Sequence, residues 1–283
     1  MSDQLPSRWL VTTDWLSQHL GDPNVVVVDG SFYLPALKRD AEAEFLAGHI
    51  PGAARFDIDA IADHSVNLPH MLPSAADFAA GVGKVGIGDG MTIVVYDGAG
   101  LGGSPRVWWT FRVFGATQVF ILDGGFPKWK AEGRPIEQGP AKRPVKTFTA
   151  KFNRQMVASV DDVKKVIGDK SAQIVDARPA DRFRGEAPEP RPGLRGGHMP
   201  GSFSVPSTTV VQNGRLASKE TLAAAFAAGK VDLDEPVITS CGSGVTAAIL
   251  WLALDALGHE PKALYDGSWS EWGGRTDTPV VTG

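Results

Sequence analysis

Short apolar runs rich in β-branched residues recur along this chain and alternate with longer amphipathic or wholly apolar stretches. The runs are VVVVD (25–29), TIVVY (92–96), QIVDA (173–177), a return near SFSVP (202–206), PVITS (236–240) and KALYD (262–266). Each has strand length and lacks a polar alternate face, as expected of strands covered on both sides in a parallel sheet. Between them, SKETLAAAFAAG (218–229) reads as a helix capped by Ser218, and VTAAILWLALDALG (245–258) as a helix ended by Gly258. Strand and helix therefore alternate, which predicts an α/β fold, with a mainly parallel sheet flanked by helices. In such sheets the binding crevice opens at the carboxyl ends of the strands, where the loops after TIVVY and PVITS must lie.

The pattern occurs twice. Val-Val-Asp at 27–29 is answered by Ile-Val-Asp at 174–176, GHIPGA at 48–53 by GHMPGS at 197–202, and LDGGFPKW ending at Trp129 by YDGSWSEW ending at Trp272. The offsets are 147, 149 and 143 residues, so the chain carries two copies of one domain rather than a short-period repeat. Between the copies, residues 133–153 are rich in Pro, Lys and Gly and show no helical period, as expected of an extended connection. The expected division is a first domain over 1–135, a linker over 136–156 and a second domain over 157–283.

Composition narrows the function classes. Of the 283 residues, 43% are hydrophobic and 21% charged, which suits an ordinary globular protein. A net charge of -4 and a pI near 5.9, with Lys and Arg dispersed, give no footprint for a nucleic-acid backbone. The longest apolar runs fall well short of the roughly 20 residues needed to cross a bilayer. The opening MSDQLPSRWLVTTDWL has no basic region followed by an apolar core, so the expected location is the cytoplasm. A lone cysteine excludes an intramolecular disulfide and agrees with a reducing compartment. The six histidines and one cysteine form no metal-ligand spacing, and GVGKVGIG (81–88) lacks the phosphate-loop pattern, so neither metal nor cofactor is expected.

That cysteine, Cys241, follows the strand PVITS directly and opens the loop CGSGVT before a helix. Gly242 and Gly244 permit a tight turn with inward amides, Val245 and Thr246 complete it, and the helix N-terminus adds about half a positive charge. Such a setting favours the thiolate, which is the nucleophilic form. Tyrosine phosphatases share this frame but need an arginine six residues after the cysteine, and Ala247 stands there. In the first copy the corresponding position after TIVVY is Asp97, which cannot carry a sulfur atom.

The CGSGVTA loop, the doubled GH(I/M)PG element and DGSWSEW resemble the rhodanese family, specifically its tandem-domain 3-mercaptopyruvate sulfurtransferases, from about Trp9 to Trp272. The resemblance implies an active second copy, a catalytically inactive first copy, and a persulfide on Cys241 that passes sulfur from 3-mercaptopyruvate to cyanide, a small thiol or thioredoxin. It also implies that Arg182 and Arg191, which match the family motif R-F-x-G-x-x-P-E-P-R, bind the donor carboxylate, and that Ser243 assists as pyruvate leaves. Asp59 in FDID and His70 in HMLP match an Asp and a His that the family links to that serine in a proton relay. A packing role for His70 stays equally open. Thiosulfate rhodaneses carry CRKGVT at the loop, and the neutral Gly242 and Ser243 favour a donor anchored elsewhere. His49 and His198 recur in both copies, as expected of structural residues. A monomer is expected, since two copies are able to cover one another. The rival readings are a thiosulfate sulfurtransferase, a cysteine phosphatase and a non-enzymatic binding module.

Overall fold

Two five-stranded sheets of identical strand order form the cores of two compact units. The computed structural model describes residues 5–34 and 37–283; the first four residues of the opening segment lie outside them. In the first sheet the strands are β1 (Leu10–Val11), β2 (Val25–Asp29), β3 (Ala54–Arg55), β4 (Thr92–Tyr96) and β5 (Val119–Leu122), in the order β1-β5-β4-β2-β3. The second contains β6 (Val157–Ala158), β7 (Gln173–Asp176), β8 (Phe203–Ser204), β11 (Val237–Ser240) and β12 (Ala263–Tyr265), in the order β6-β12-β11-β7-β8. A short ribbon of β9 (Val211–Gln212) and β10 (Arg215–Leu216) lies between β8 and β11 in sequence. Every pairing within the two large sheets is parallel. The α/β reading thus holds in both copies.

The central strands are the apolar runs picked out above, and burial on both faces explains why they show no polar alternation. In the first unit Val27, Val94, Tyr96 and Leu122 pack against Phe45, Ile50 and Trp129. In the second, Ile174, Ile238 and Tyr265 pack against Met199, Trp269 and Trp272. The helix Ala247–Ala256 is buried along its whole length, in keeping with its lack of a polar face. It begins two residues later than the sequence pattern predicts. Val245 and Thr246 instead form a tighter turn, their carbonyls accepting from Ala248 and Ile249 N–H at 3.2 and 3.0 Å.

Repeats in sequence and units in space do not coincide. The first unit comprises Met1–Asp63, Leu72–Phe152 and Asn213–Leu216, and the second His64–Met71, Asn153–Gln212 and Ala217–Gly283. His70, which chain order assigns to the first copy, therefore belongs to the same unit as Cys241. The connection after residue 133 bonds along the first unit, with Glu137 paired to His49, Lys146 N–H donating to Gly83 and Lys151 N–H to Phe114.

His49 and His198 do the same job in the two units. Each stacks on a phenylalanine, Phe45 at 4.0 Å and Phe183 at 3.8 Å, and each directs Nδ1 to that residue's carbonyl at 2.8 Å. The repeated histidine is a fastening between the helix preceding it and the GH(I/M)PG turn.

Candidate active site

Strand β11 ends at Ser240, and its register with β7 sets Ser240 opposite Asp176. The next residue, Cys241, is 2% exposed. Its N–H donates to Ser268 Oγ at 3.2 Å, and that hydroxyl donates onward to the Tyr265 carbonyl at 2.8 Å. The Cys241 carbonyl accepts from Trp269 N–H at 2.9 Å, while the Gly242 carbonyl accepts the N–H and the hydroxyl of Ser270 at 2.8 and 2.7 Å. The cysteine loop is thus fastened to the turn that follows β12. Ser268 holds a left-handed φ of 49°, which costs about 1–2 kcal/mol for a residue with a Cβ. Its two bonds to the neighbouring backbone offset that strain. At the same place in the first unit stands Gly125, with φ 55°. Burial, reinforced by Glu271, pushes the Tyr265 phenol far above its ordinary pKa, so it stays a neutral donor to Glu271 Oε2 at 2.8 Å.

Within the loop, Gly244 takes φ 76°, the left-handed region that the sequence assigns to a glycine, and Ser243 is buried. Gly242 lies under Arg182: a methyl group added there would come within 3.3 Å of Arg182 Nη2. A side chain at 242 would require the end of Arg182 to shift by a few tenths of an ångström.

Arg182 is held by a buried charge chain. Its Nη2 donates to Glu189 Oε2 at 2.5 Å and its Nε to Oε1 at 3.3 Å. Glu189 Oε1 also accepts from Arg178 Nη1 at 2.8 Å. Arg178 in turn donates to both oxygens of Asp176, at 2.9 and 3.2 Å from Nε, and to the Gly197 carbonyl at 2.8 Å, with its guanidinium 4.2 Å from the centre of the Trp269 ring. Burial works against the charge of Arg178, but Asp176 and Glu189 overcome it and hold its pKa above the usual arginine value. Nothing in the sequence distinguished Arg178 among the neighbouring arginines, and Ser268 and Ser270 were visible there only as part of a repeat landmark.

Arg191 Nη2 lies 3.4 Å from His70 Nε2, inside the second unit. His70 is buried and holds φ 60°. Asp59 belongs to the first unit, is exposed, and donates its N–H to Asp57 Oδ1 at 2.9 Å. The other two arginines between residues 181 and 198, Arg184 and Arg195, are occupied elsewhere. Arg184 pairs with Glu186 at the surface at 2.6 Å, and Arg195 donates to the carbonyls of Trp272, Gly273 and Thr278.

At the corresponding point of the first unit, Asp97 is buried and fully engaged. Its carboxylate accepts from the N–H groups of Ala99, Gly102 and Ser104 at 2.8 Å each and from the Ser104 hydroxyl at 2.6 Å. The residue in the cysteine's position thus closes its own loop.

The family model for the rhodanese-like domain matches residues 12–132 and again 159–275. The 3-mercaptopyruvate sulfurtransferase of Escherichia coli (strain K12) is 44% identical over 277 residues, 98% of this chain and 99% of its own. A relative from Arabidopsis thaliana, thiosulfate/3-mercaptopyruvate sulfurtransferase 2, is 43% identical over 96% of this chain and 86% of its own. The crystal structure of SseA from Escherichia coli superposes with a TM-score of 0.85 at 42% identity, covering 92% of this chain and 98% of that one. With the duplicated parallel sheets and a cysteine seated after β11 in the second of them, the chain belongs to the rhodanese family, as a sulfurtransferase of its tandem-domain kind.

Proposed function

We propose that this sulfurtransferase takes its sulfur from 3-mercaptopyruvate, the substrate named for its relatives, and carries it as a persulfide on Cys241. The Cys241 thiolate attacks the donor sulfur and the carbon–sulfur bond breaks. The bonding pair leaves as the enolate of pyruvate, which is then protonated. A thiophilic acceptor attacks the outer sulfur and releases the thiolate. Cyanide, a small thiol and thioredoxin all have the required nucleophile.

The observation that carries this reading is Arg182, whose guanidinium stands over Gly242 although the loop itself has no cation. A carboxylate-bearing donor needs such an anchor beside the nucleophile, and a forked guanidinium fits it. Arg191 serves as the second anchor. The Ser243 hydroxyl assists the carbonyl end of the donor as the enolate forms, and His70 beside Arg191 moves a proton. In the first unit Asp97 replaces the nucleophile, so that unit contributes structure and not sulfur chemistry.

Steady-state comparison of the two donors tests the assignment. 3-Mercaptopyruvate should give the higher kcat/KM, and a clear preference for thiosulfate would overturn it. Arg191→Ala should raise KM for 3-mercaptopyruvate by about 10- to 150-fold, the loss of one charge-assisted contact. The KM for the acceptor should stay nearly constant, and an unchanged donor KM removes Arg191 from the site.

A further inference from the structure

We propose that a cavity of the first unit binds an alkylguanidinium ion, which takes there the place that the Arg178 side chain fills in the second unit. The two copies match residue by residue around this point. Asp29 and Asp176 end the corresponding strands β2 and β7. Each accepts at Oδ1 the N–H of the residue two positions on, from Ser31 at 2.8 Å and from Arg178 at 2.9 Å. The second copy thus has an arginine where the first has a serine. The Arg178 side chain is 1% exposed and its guanidinium has four partners: Asp176, Glu189, the Gly197 carbonyl and the Trp269 ring. In the first copy the repeat sets Asp29, Gly48 and Phe126 at the places of Asp176, Gly197 and Trp269. Glu44 takes the place of Glu189. It accepts from Arg39 Nε at 2.8 Å and Nη2 at 2.6 Å, the same two nitrogens that Arg182 gives to Glu189. A methyl group added to Gly98 would come within 3.4 Å of Arg39 Nη2, as one on Gly242 would of Arg182 Nη2 at 3.3 Å.

Where the second unit has the arginine, the first has open space. Asp29, Ser31, Glu44, Gly48 and Phe126 line one cavity of about 820 Å³, which lies wholly within the first unit. Asp29 is only 4% exposed, and burial pushes its carboxyl above the ordinary pKa although Ser31 and Arg55 work the other way. Arg55 Nη1 stands 3.9 Å from Asp29 Oδ1 and donates instead to the carbonyls of Asp29 and Phe56. The protein thus answers this desolvated carboxylate only in part. Glu44 Oε1 accepts from Arg39 alone among the described residues, whereas Glu189 Oε1 is shared by Arg182 and Arg178. A guanidinium is the cation these groups fit, because its planar fork donates to two carboxylates and a carbonyl while its face lies on an aromatic ring. Arg39 does not exclude it, since Arg182 and Arg178 share one glutamate in the second unit. Lys130, which also lines the cavity, is the competitor. Its exposed ammonium stands 5.6 Å from the centre of the Phe126 ring and has to swing out as the ligand enters.

The test is calorimetric titration of the full chain with n-butylguanidinium, beside n-butylammonium as a probe of equal charge without the fork. The guanidinium probe should bind saturably with a Kd of about 1 mM. The ammonium probe should bind at least about tenfold more weakly. Glu44→Gln and Asp29→Asn should each weaken the guanidinium probe by about tenfold or more, the loss of one charge-assisted contact. Ser31→Arg supplies the guanidinium from the chain itself, as the second unit does, and should abolish binding. Lys130→Ala removes the competitor and should tighten binding by about two- to fivefold. If Asp29→Asn or Ser31→Arg fails to fold, Glu44→Gln and Lys130→Ala, neither of them at a buried position, read the site by themselves. Equal binding of the two probes, the absence of saturable binding, or an affinity unchanged in both Glu44→Gln and Lys130→Ala overturns the proposal.

Discussion

Cys241→Ser abolishes the gain of one sulfur atom that intact-mass measurement should record when the protein is treated with 3-mercaptopyruvate, and sulfur transfer drops by at least about a thousandfold. The size of the effect follows from the chemistry. A thiolate is polarisable and forms a stable sulfur–sulfur bond, whereas the serine hydroxyl is not ionised at neutral pH and would have to form a weak oxygen–sulfur bond. The substitution leaves the surroundings intact, because the loop's anchors run through the backbone. The N–H of residue 241 still donates to Ser268 Oγ, its carbonyl still accepts from Trp269, and Gly242 still accepts from Ser270. Thermal unfolding should therefore change little, and activity is lost without loss of fold. Since Cys241 is the chain's sole cysteine, any sulfur retained by the serine variant would sit elsewhere and would falsify the persulfide assignment.

The architecture was legible because its signals are local. VVVVD, TIVVY and QIVD carry enough β-branched burial to mark central strands, and the repeat of three landmarks fixes two copies without reference to contacts. The outer strands β1 and β6 are two residues long, too short for any periodicity, and they exist only because β5 and β12 supply hydrogen-bond partners. The setting of Cys241 was legible for the same reason as the central strands: strand, glycine loop and helix follow one another directly. What surrounds it was less so. Ser268 is paired to Cys241 across 27 residues, and Arg178 looks like one more arginine until its guanidinium is seen to bridge Asp176 and Glu189, the latter 11 residues on. Nothing in the sequence marks Glu189 as buried. Its place between Arg178 and Arg182 depends on the chain folding back from Glu189 over the end of β7. His70 is the clearest case, since its position in the chain assigns it to one copy and its packing to the other unit.

The largest effect on stability is expected at Arg178. Arg178→Met keeps much of the side-chain volume but leaves the buried Asp176 without its ion-pair partner and Glu189 with Arg182 alone. Breaking a buried ion pair from one side costs about 3–5 kcal/mol, mostly because the abandoned charge stays desolvated. Part of the loss is the guanidinium's contact with the Trp269 face, and part is the bond to the Gly197 carbonyl. Urea unfolding followed by tryptophan fluorescence should show an earlier transition, since Trp269 and Trp272 lie in the core of the second unit. A second substitution identifies the cause. Adding Asp176→Asn to Arg178→Met removes the abandoned charge and should recover part of the loss. A gap unaffected by the second substitution would assign the cost to packing against Trp269 alone.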